Sequence, residues 1–146
     1  MGLFNKFFEK INFNKLDQFQ NTEIEKIVVH KLDNYWTLYL KNNNPINPEV
    51  IDELITLSNK GFDKIEKVEI VIKNENTSDD DVLSYFKYHL NKLTKECPSL
   101  CSLNSSKITS KDGVITLEVA NIAEEKRFLE NKERFINTLR NLGINI

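Results

Sequence analysis

Apolar residues recur along this chain at two spacings, three-to-four and two, and the spacings change abruptly at turn-forming residues. "LFNKFFEKI" sets Phe4, Phe7, Phe8 and Ile11 on one helical stripe opposite Asn5, Lys6 and Glu9, which predicts a helix docked on a core. A second short set, Phe13, Leu16 and Phe19, follows. The stretch "EKIVVHKLDNYWTLYL" alternates instead and predicts a hairpin turning at Asp33-Asn34, where both residues tolerate left-handed backbone. In that register Leu32 opposes Tyr35, Lys31 opposes Trp36, Val29 opposes Leu38 and Ile27 opposes Leu40. One face then holds Ile27, Val29, Trp36, Leu38 and Leu40, with Trp36 marking it as the core face. The other holds Val28, His30, Leu32, Tyr35, Thr37 and Tyr39. It is amphipathic where a small domain on its own would expose polar residues.

"NPEVIDELITLSNKG" reads as a helix capped by Asn47, with Pro48 first inside it and Gly61 placed to end it. Its inward stripe is Ile51, Leu54, Ile55 and Ser58. "KVEIVIK" is a strand with Val68, Ile70 and Ile72 inward and Glu69, Val71 and Lys73 outward. The polar run "NENTSDDD" is a linker. Beyond it Ser78 caps a helix whose first turn carries Asp79, Asp80 and Asp81 and whose stripe is Val82, Phe86, Leu90 and Leu93. A short helical piece around Leu100 and Leu103 precedes a hairpin turning at Asp112-Gly113, with Ile115, Leu117 and Val119 inward. Asn121 and Glu124 form a capping box for a long helix striped by Phe128, Phe135, Ile136, Leu139 and Leu142 and stopped by Gly143. Ile144-Asn145-Ile146 begins an alternating strand, short enough to suggest a longer parent polypeptide.

The two halves repeat one order of elements, helix, strand, strand, helix, strand. The expected fold class is α+β: two small tandem domains, 1–76 and 77–146, each a three-stranded mixed sheet with helices on one face. That arrangement resembles a type II KH domain.

Charge narrows the function. Twenty basic residues against 22 acidic ones give a net charge of −2, without the basic excess of a dedicated nucleic-acid binder. The only arginines are Arg127, Arg134 and Arg140. No run of apolar residues approaches the roughly 20 that a membrane span needs. The N-terminus lacks a signal-peptide cleavage site, and two cysteines without an export signal point to a reducing cytoplasm.

The candidate chemical groups are sparse. Cys97 and Cys101 stand four apart, but the only histidines are His30 and His89, which leaves a zinc site short of a fourth ligand. Three consecutive aspartates point in different directions on a helix and serve its dipole better than a cation. His30 has no neighbouring nucleophile and reads as a surface or interface residue. The four glycines form no phosphate loop, and there is no GxxG with which KH domains clamp nucleotides.

"FFEKIN", "EIEKIVVHK", "YWTLYL", "INPEVIDELITL" and "GFDKIEKVEIVI" resemble the first N-terminal domain of the PolC-type DNA polymerase III alpha-subunit family. "SYFKYHLNKL", "CSLNSSKI", "GVITLEV" and "FLENKERFINTLRNLGI" are similar to the second. The resemblance covers essentially the whole chain, and its most specific piece is the run from Glu23 to Trp36. It implies a large parent, a DNA-directed DNA polymerase with 3′–5′ exonuclease proofreading, in bacteria of low GC content. The catalytic motifs and divalent metals of such a parent belong to downstream domains, so no catalytic residue and no cofactor transfers to this chain. The family's first domain is similar to the alpha-binding domain of the clamp-loader tau subunit, which implies docking to replisome proteins.

The residues of that docking surface are expected to be Val28, His30, Leu32, Tyr35, Tyr39 and Val71, forming an aromatic patch of low charge. Either the second half or a partner such as tau covers it. The rival reading is a single-strand or primer-template binder using Lys107, Lys111, Arg127, Arg134 and Arg140. A free-standing enzyme is a third, and it lacks a nucleophile–base or metal constellation.

Overall fold

The computed structural model describes residues 15–61, 65–98, 100, 103, 107–144 and 146. The amphipathic stretch Phe4–Ile11 and Phe13 lie outside these residues. The chain divides into two compact units, Met1–Asn76 with Asn141–Gly143, and Thr77–Arg140 with Ile144–Ile146. The architecture is α+β, and the first unit contains a three-stranded mixed sheet.

In the first unit a 3-10 turn, Leu16–Phe19, leads into β1 (Glu23–His30), β2 (Tyr35–Asn42), α1 (Pro48–Gly61) and β3 (Lys67–Asn74). The strand order is β1-β2-β3, with β2 central, antiparallel to β1 and parallel to β3. Parallel pairing of β2 and β3 requires a crossover, and α1 supplies it. The Asn47 side chain caps α1 by accepting from the Glu49 amide at 2.9 Å, and Pro48 takes the first position, where its missing N–H costs nothing. The inward face of α1 is Val50, Ile51, Leu54 and Ser58, with Ile55 only half-buried. Gly61 is the last helical residue rather than the one beyond. From the sheet, Leu38, Leu40, Val68, Ile70 and Ile72 are buried, as alternation predicts. Each such side chain contributes roughly 1.5–3 kcal/mol by leaving water.

The hairpin register differs from the expected one. His30 opposes Tyr35, Val29 opposes Trp36, Val28 opposes Thr37 and Ile27 opposes Leu38, which leaves four residues, Lys31–Asn34, in the turn. A two-residue turn of the favoured kind needs left-handed backbone at both positions, and here only Asn34 adopts it, at φ 53°. The slip is two positions, so alternation is preserved and each strand residue keeps its face. Leu32 does not: it sits in the turn, fully exposed. Ile27 and Val29, expected in the core, remain 37% and 50% exposed. They lie on β1, the edge strand, whereas α1 packs against β3 on the far side of the sheet.

In the second unit α2 (Asp79–Glu96) precedes the hairpin β4 (Ile108–Lys111) and β5 (Val114–Leu117), and α3 (Ile122–Asn141) follows. Ser78 and Asp81 form a reciprocal capping box, the Ser78 hydroxyl accepting from the Asp81 amide at 3.1 Å and the Asp81 carboxylate from the Ser78 amide at 3.0 Å. The Asp112-Gly113 turn is left-handed at both residues (φ 50° and 80°) and fits a two-residue loop, as the sequence predicts. Asp79 holds that turn by accepting from the Asp112 amide at 3.0 Å. At the start of α3 the Asn121 side chain accepts from the Glu124 amide, and the Glu124 carboxylate accepts from Ala120, both at 2.9 Å. Phe86 and Phe135 meet edge to face at 5.1 Å and join α2 to α3. Here the sheet has two strands among the described residues. Ile144 and Ile146, expected to begin a third, are not in strand conformation.

Candidate interaction site on the first sheet

Strand pairing brings the second face of the hairpin into three rows across the sheet. Following the two registers, Tyr35 lies between His30 and Lys67, Thr37 between Val28 and Glu69, and Tyr39 between Lys26 and Val71. Five of the six residues expected at the docking surface, Val28, His30, Tyr35, Tyr39 and Val71, therefore share one face, each half-buried. Leu32 is at the turn and outside the rows.

The face is fixed by specific contacts. The His30 imidazole lies flat on the Tyr35 ring, centroids 4.0 Å apart and planes 13° from parallel. The Lys67 ammonium stands 4.8 Å from the centre of the same ring, and Lys26 stands 4.5 Å from the centre of Tyr39. Beneath them Thr37 is buried, with its hydroxyl donating to Glu69 at 3.3 Å and lying 3.0 Å from His30 Nε2. A hydroxyl has one proton. With that proton on Glu69, Thr37 accepts from His30, so the imidazole carries hydrogen on Nε2.

The patch is aromatic but not low in charge, which corrects the expectation. Lys26, Lys67 and Glu69 belong to it, and Lys67 bridges to Glu69 at 3.0 Å. The hydrogen bond and negative charge of Glu69 raise the Lys67 ammonium above the ordinary lysine value. Alternation with Val28 and His30 sets Lys26 on this face, whereas Lys67 needs the register of β3 against β2, which is what places it beside Tyr35.

Thr37 is only 3% exposed, so its hydroxyl is not presented to a substrate. Among the described residues no group of three His, Cys, Asp or Glu side chains is placed to hold a metal ion, and no helix is long and apolar enough to cross a membrane. Cys97 is a half-buried free thiol, and Cys101 lies outside the described residues.

The basic set of the second unit is spread out. Lys107 and Lys111 are exposed beside and at the end of β4. Arg127 and Arg134 lie on one side of α3, while Arg140 is about a third of a turn away. Arg134 pairs with Glu96 at 3.3 Å, and Arg140 donates to the Ile146 carbonyl at 3.1 Å.

No solved structure matches the chain. DNA polymerase III PolC-type of Lactococcus lactis subsp. lactis (strain IL1403) is 27% identical over 116 residues, which is 75% of this chain and 7% of that protein. The chain thus spans a small fraction of that relative's length. Residues 3–72, which contain the whole three-stranded sheet up to Ile72, match the family model described as DNA polymerase III polC-type N-terminus I. Through that stretch the chain is similar to the PolC-type N-terminus I family of DNA polymerase III.

Proposed function

We propose that this chain is a non-catalytic, protein-docking portion of a PolC-type replicative DNA polymerase. In this reading residues 1–76 and 77–146 are two tandem N-terminal domains, the second KH-like. They act in the cytoplasm, with polymerase and 3′–5′ exonuclease chemistry and its divalent metals carried by other domains of the parent. The partner is a replisome protein, with the clamp-loader tau subunit the first to test.

One observation carries the reading: Tyr35 and Tyr39 stand half-exposed on the central strand, each beside a lysine ammonium, and Tyr35 is also stacked on His30. Aromatics fixed before binding lose little entropy when a partner covers them, and Tyr is enriched among the residues that dominate binding energy. Lys26 and Lys67 at the rim suit a partner surface with acidic residues around an apolar centre. Nothing comparable favours single-strand binding, because two of the three arginines are already engaged.

The test is a Tyr35→Ala, Tyr39→Ala double variant, checked for native circular dichroism and then titrated with purified tau. Each lost aromatic anchor costs about 2 kcal/mol, so affinity falls by more than a hundredfold. Full affinity in the folded double variant would sink the docking role.

A further inference from the structure

The two edges of the first sheet are treated differently. On β3, the Asn59 side chain takes both main-chain groups of Val68, accepting from its N–H at 2.9 Å and donating to its C=O at 3.2 Å. Farther along, Gly143 packs so close to the Ile72 carbonyl that a Cβ built on it would stand 2.8 Å away, and Asn74 donates to the carbonyls of Leu142 and Gly143. That edge is closed. The outer edge of β1 has no such guard: among the described residues no main-chain bond to Glu23–His30 is made from outside the β1–β2 ladder. An edge strand left open is a template for another strand, and proteins normally block it.

We propose that β1 pairs antiparallel with β1 of a second copy of this chain, across a two-fold axis at Val28. The sequence of the strand is self-complementary about that residue. Ile27 then opposes Val29 of the second copy, Lys26 opposes His30, Glu25 opposes Lys31 and Ile24 opposes Leu32. Antiparallel pairing keeps faces together, so Ile27 and Val29 of both copies, 37% and 50% exposed in one chain, cover one another. Neighbouring registers are worse: an axis at Val29 sets Glu25 against Asp33, and one at Ile27 sets Glu25 against Val29. Regular pairing runs over Lys26–His30, with three β-branched residues in a row, Ile27, Val28 and Val29, while Glu25 in the bulge and Lys31 in the turn flank the paired run and set opposite charges at each of its ends. The joined sheet has six strands and leaves the Tyr35–Tyr39 face free, so this association and the docking role stand or fall separately.

Sedimentation of the full chain over a range of concentrations tests it. The chain is expected to pass from monomer to dimer as concentration rises. Glu25→Lys and Lys31→Glu lie at exposed positions, and each alone turns two attractions into repulsions, shifting the midpoint to roughly tenfold higher concentration. An equimolar mixture of the two variants restores dimer at the original midpoint, because every opposed pair is again of opposite sign. A chain that stays monomeric to about 1 mM, single variants that dimerise like the parent, or a mixture that fails to recover would each overturn the proposal.

Discussion

Asn74 donates from one side-chain amide to two carbonyls, those of Leu142 at 3.3 Å and of Gly143 at 3.2 Å, and so ties the end of β3 to a segment nearly 70 residues downstream. Gly143 reaches this position only with left-handed backbone, φ 85°, and only without a side chain. Gly143→Ala brings a methyl group against the Ile72 carbonyl and forces a backbone that L-residues avoid. It is expected to lower stability by about 2–4 kcal/mol. Urea unfolding followed by the fluorescence of Trp36, the sole tryptophan, measures it. A change under about 0.5 kcal/mol would mean the segment does not hold this place.

The Asn59–Val68 pair makes a graded prediction. Asn59→Ala removes both hydrogen bonds to Val68 at a partly solvated edge, together with an exposed one to the Ile55 carbonyl, and costs about 1–2 kcal/mol. Asn59→Asp keeps the acceptor for the Val68 amide but points a carboxylate oxygen at the Val68 carbonyl, so it destabilises at least as much as the alanine. The urea midpoint at constant slope decides the order, and an aspartate variant as stable as the parent would show that the donor half of the pair is dispensable.

At the start of α2, Ser78→Ala removes the hydroxyl that accepts from the Asp81 amide and loses about 1 kcal/mol. Asp81→Asn retains an acceptor but loses the charge that favours a helix N-terminus, and costs less, about 0.5 kcal/mol. Helix signal in circular dichroism, followed through urea unfolding, compares them.

Much of this was legible because it is local. Ser78 and Asn121 each cap a helix and Asp112-Gly113 turns a hairpin, as the sequence implies, although the Glu124 carboxylate accepts from Ala120 rather than from the Asn121 amide that a capping box uses. What depends on distant pairing was not legible. Alternation names the faces of β1 and β2 but is indifferent to a slip of two, so turn length and the place of Leu32 were misjudged while Tyr35 and Tyr39 kept their face. Lys67 meets Tyr35 only through the β2–β3 register, whereas Lys26 shares the face of Val28 and His30 by alternation alone. Asn59 and Asn74 carry edge-closing roles that no pattern announces, because one amide in a helix or at a strand end looks like any other polar residue. On α2 the expected stripe of Val82, Phe86, Leu90 and Leu93 is buried, but Tyr85 and His89 are buried beside it. Polar tips on both rings keep them out of a stripe read from apolar residues alone.

That burial has a consequence at alkaline pH. Desolvation, with a smaller contribution from the Asp81 carboxylate, pushes the Tyr85 phenol well above its ordinary value of 10.0. In the unfolded chain the phenol ionises near that ordinary value, whereas in the folded chain it keeps its proton. The folded state therefore binds more protons above about pH 10, and stability that is complete below that pH declines as pH rises. The Tyr85 contribution to the slope is at most about 1.4 kcal/mol per pH unit. Tyr85→Phe removes this one group and keeps the ring, so the unfolding free energy of the parent falls relative to that of the variant as pH rises from about 9 to 11. Lysines that titrate in the same range affect both proteins alike and cancel in the comparison. Parallel curves across that window would place the phenol in contact with water and contradict its burial on α2.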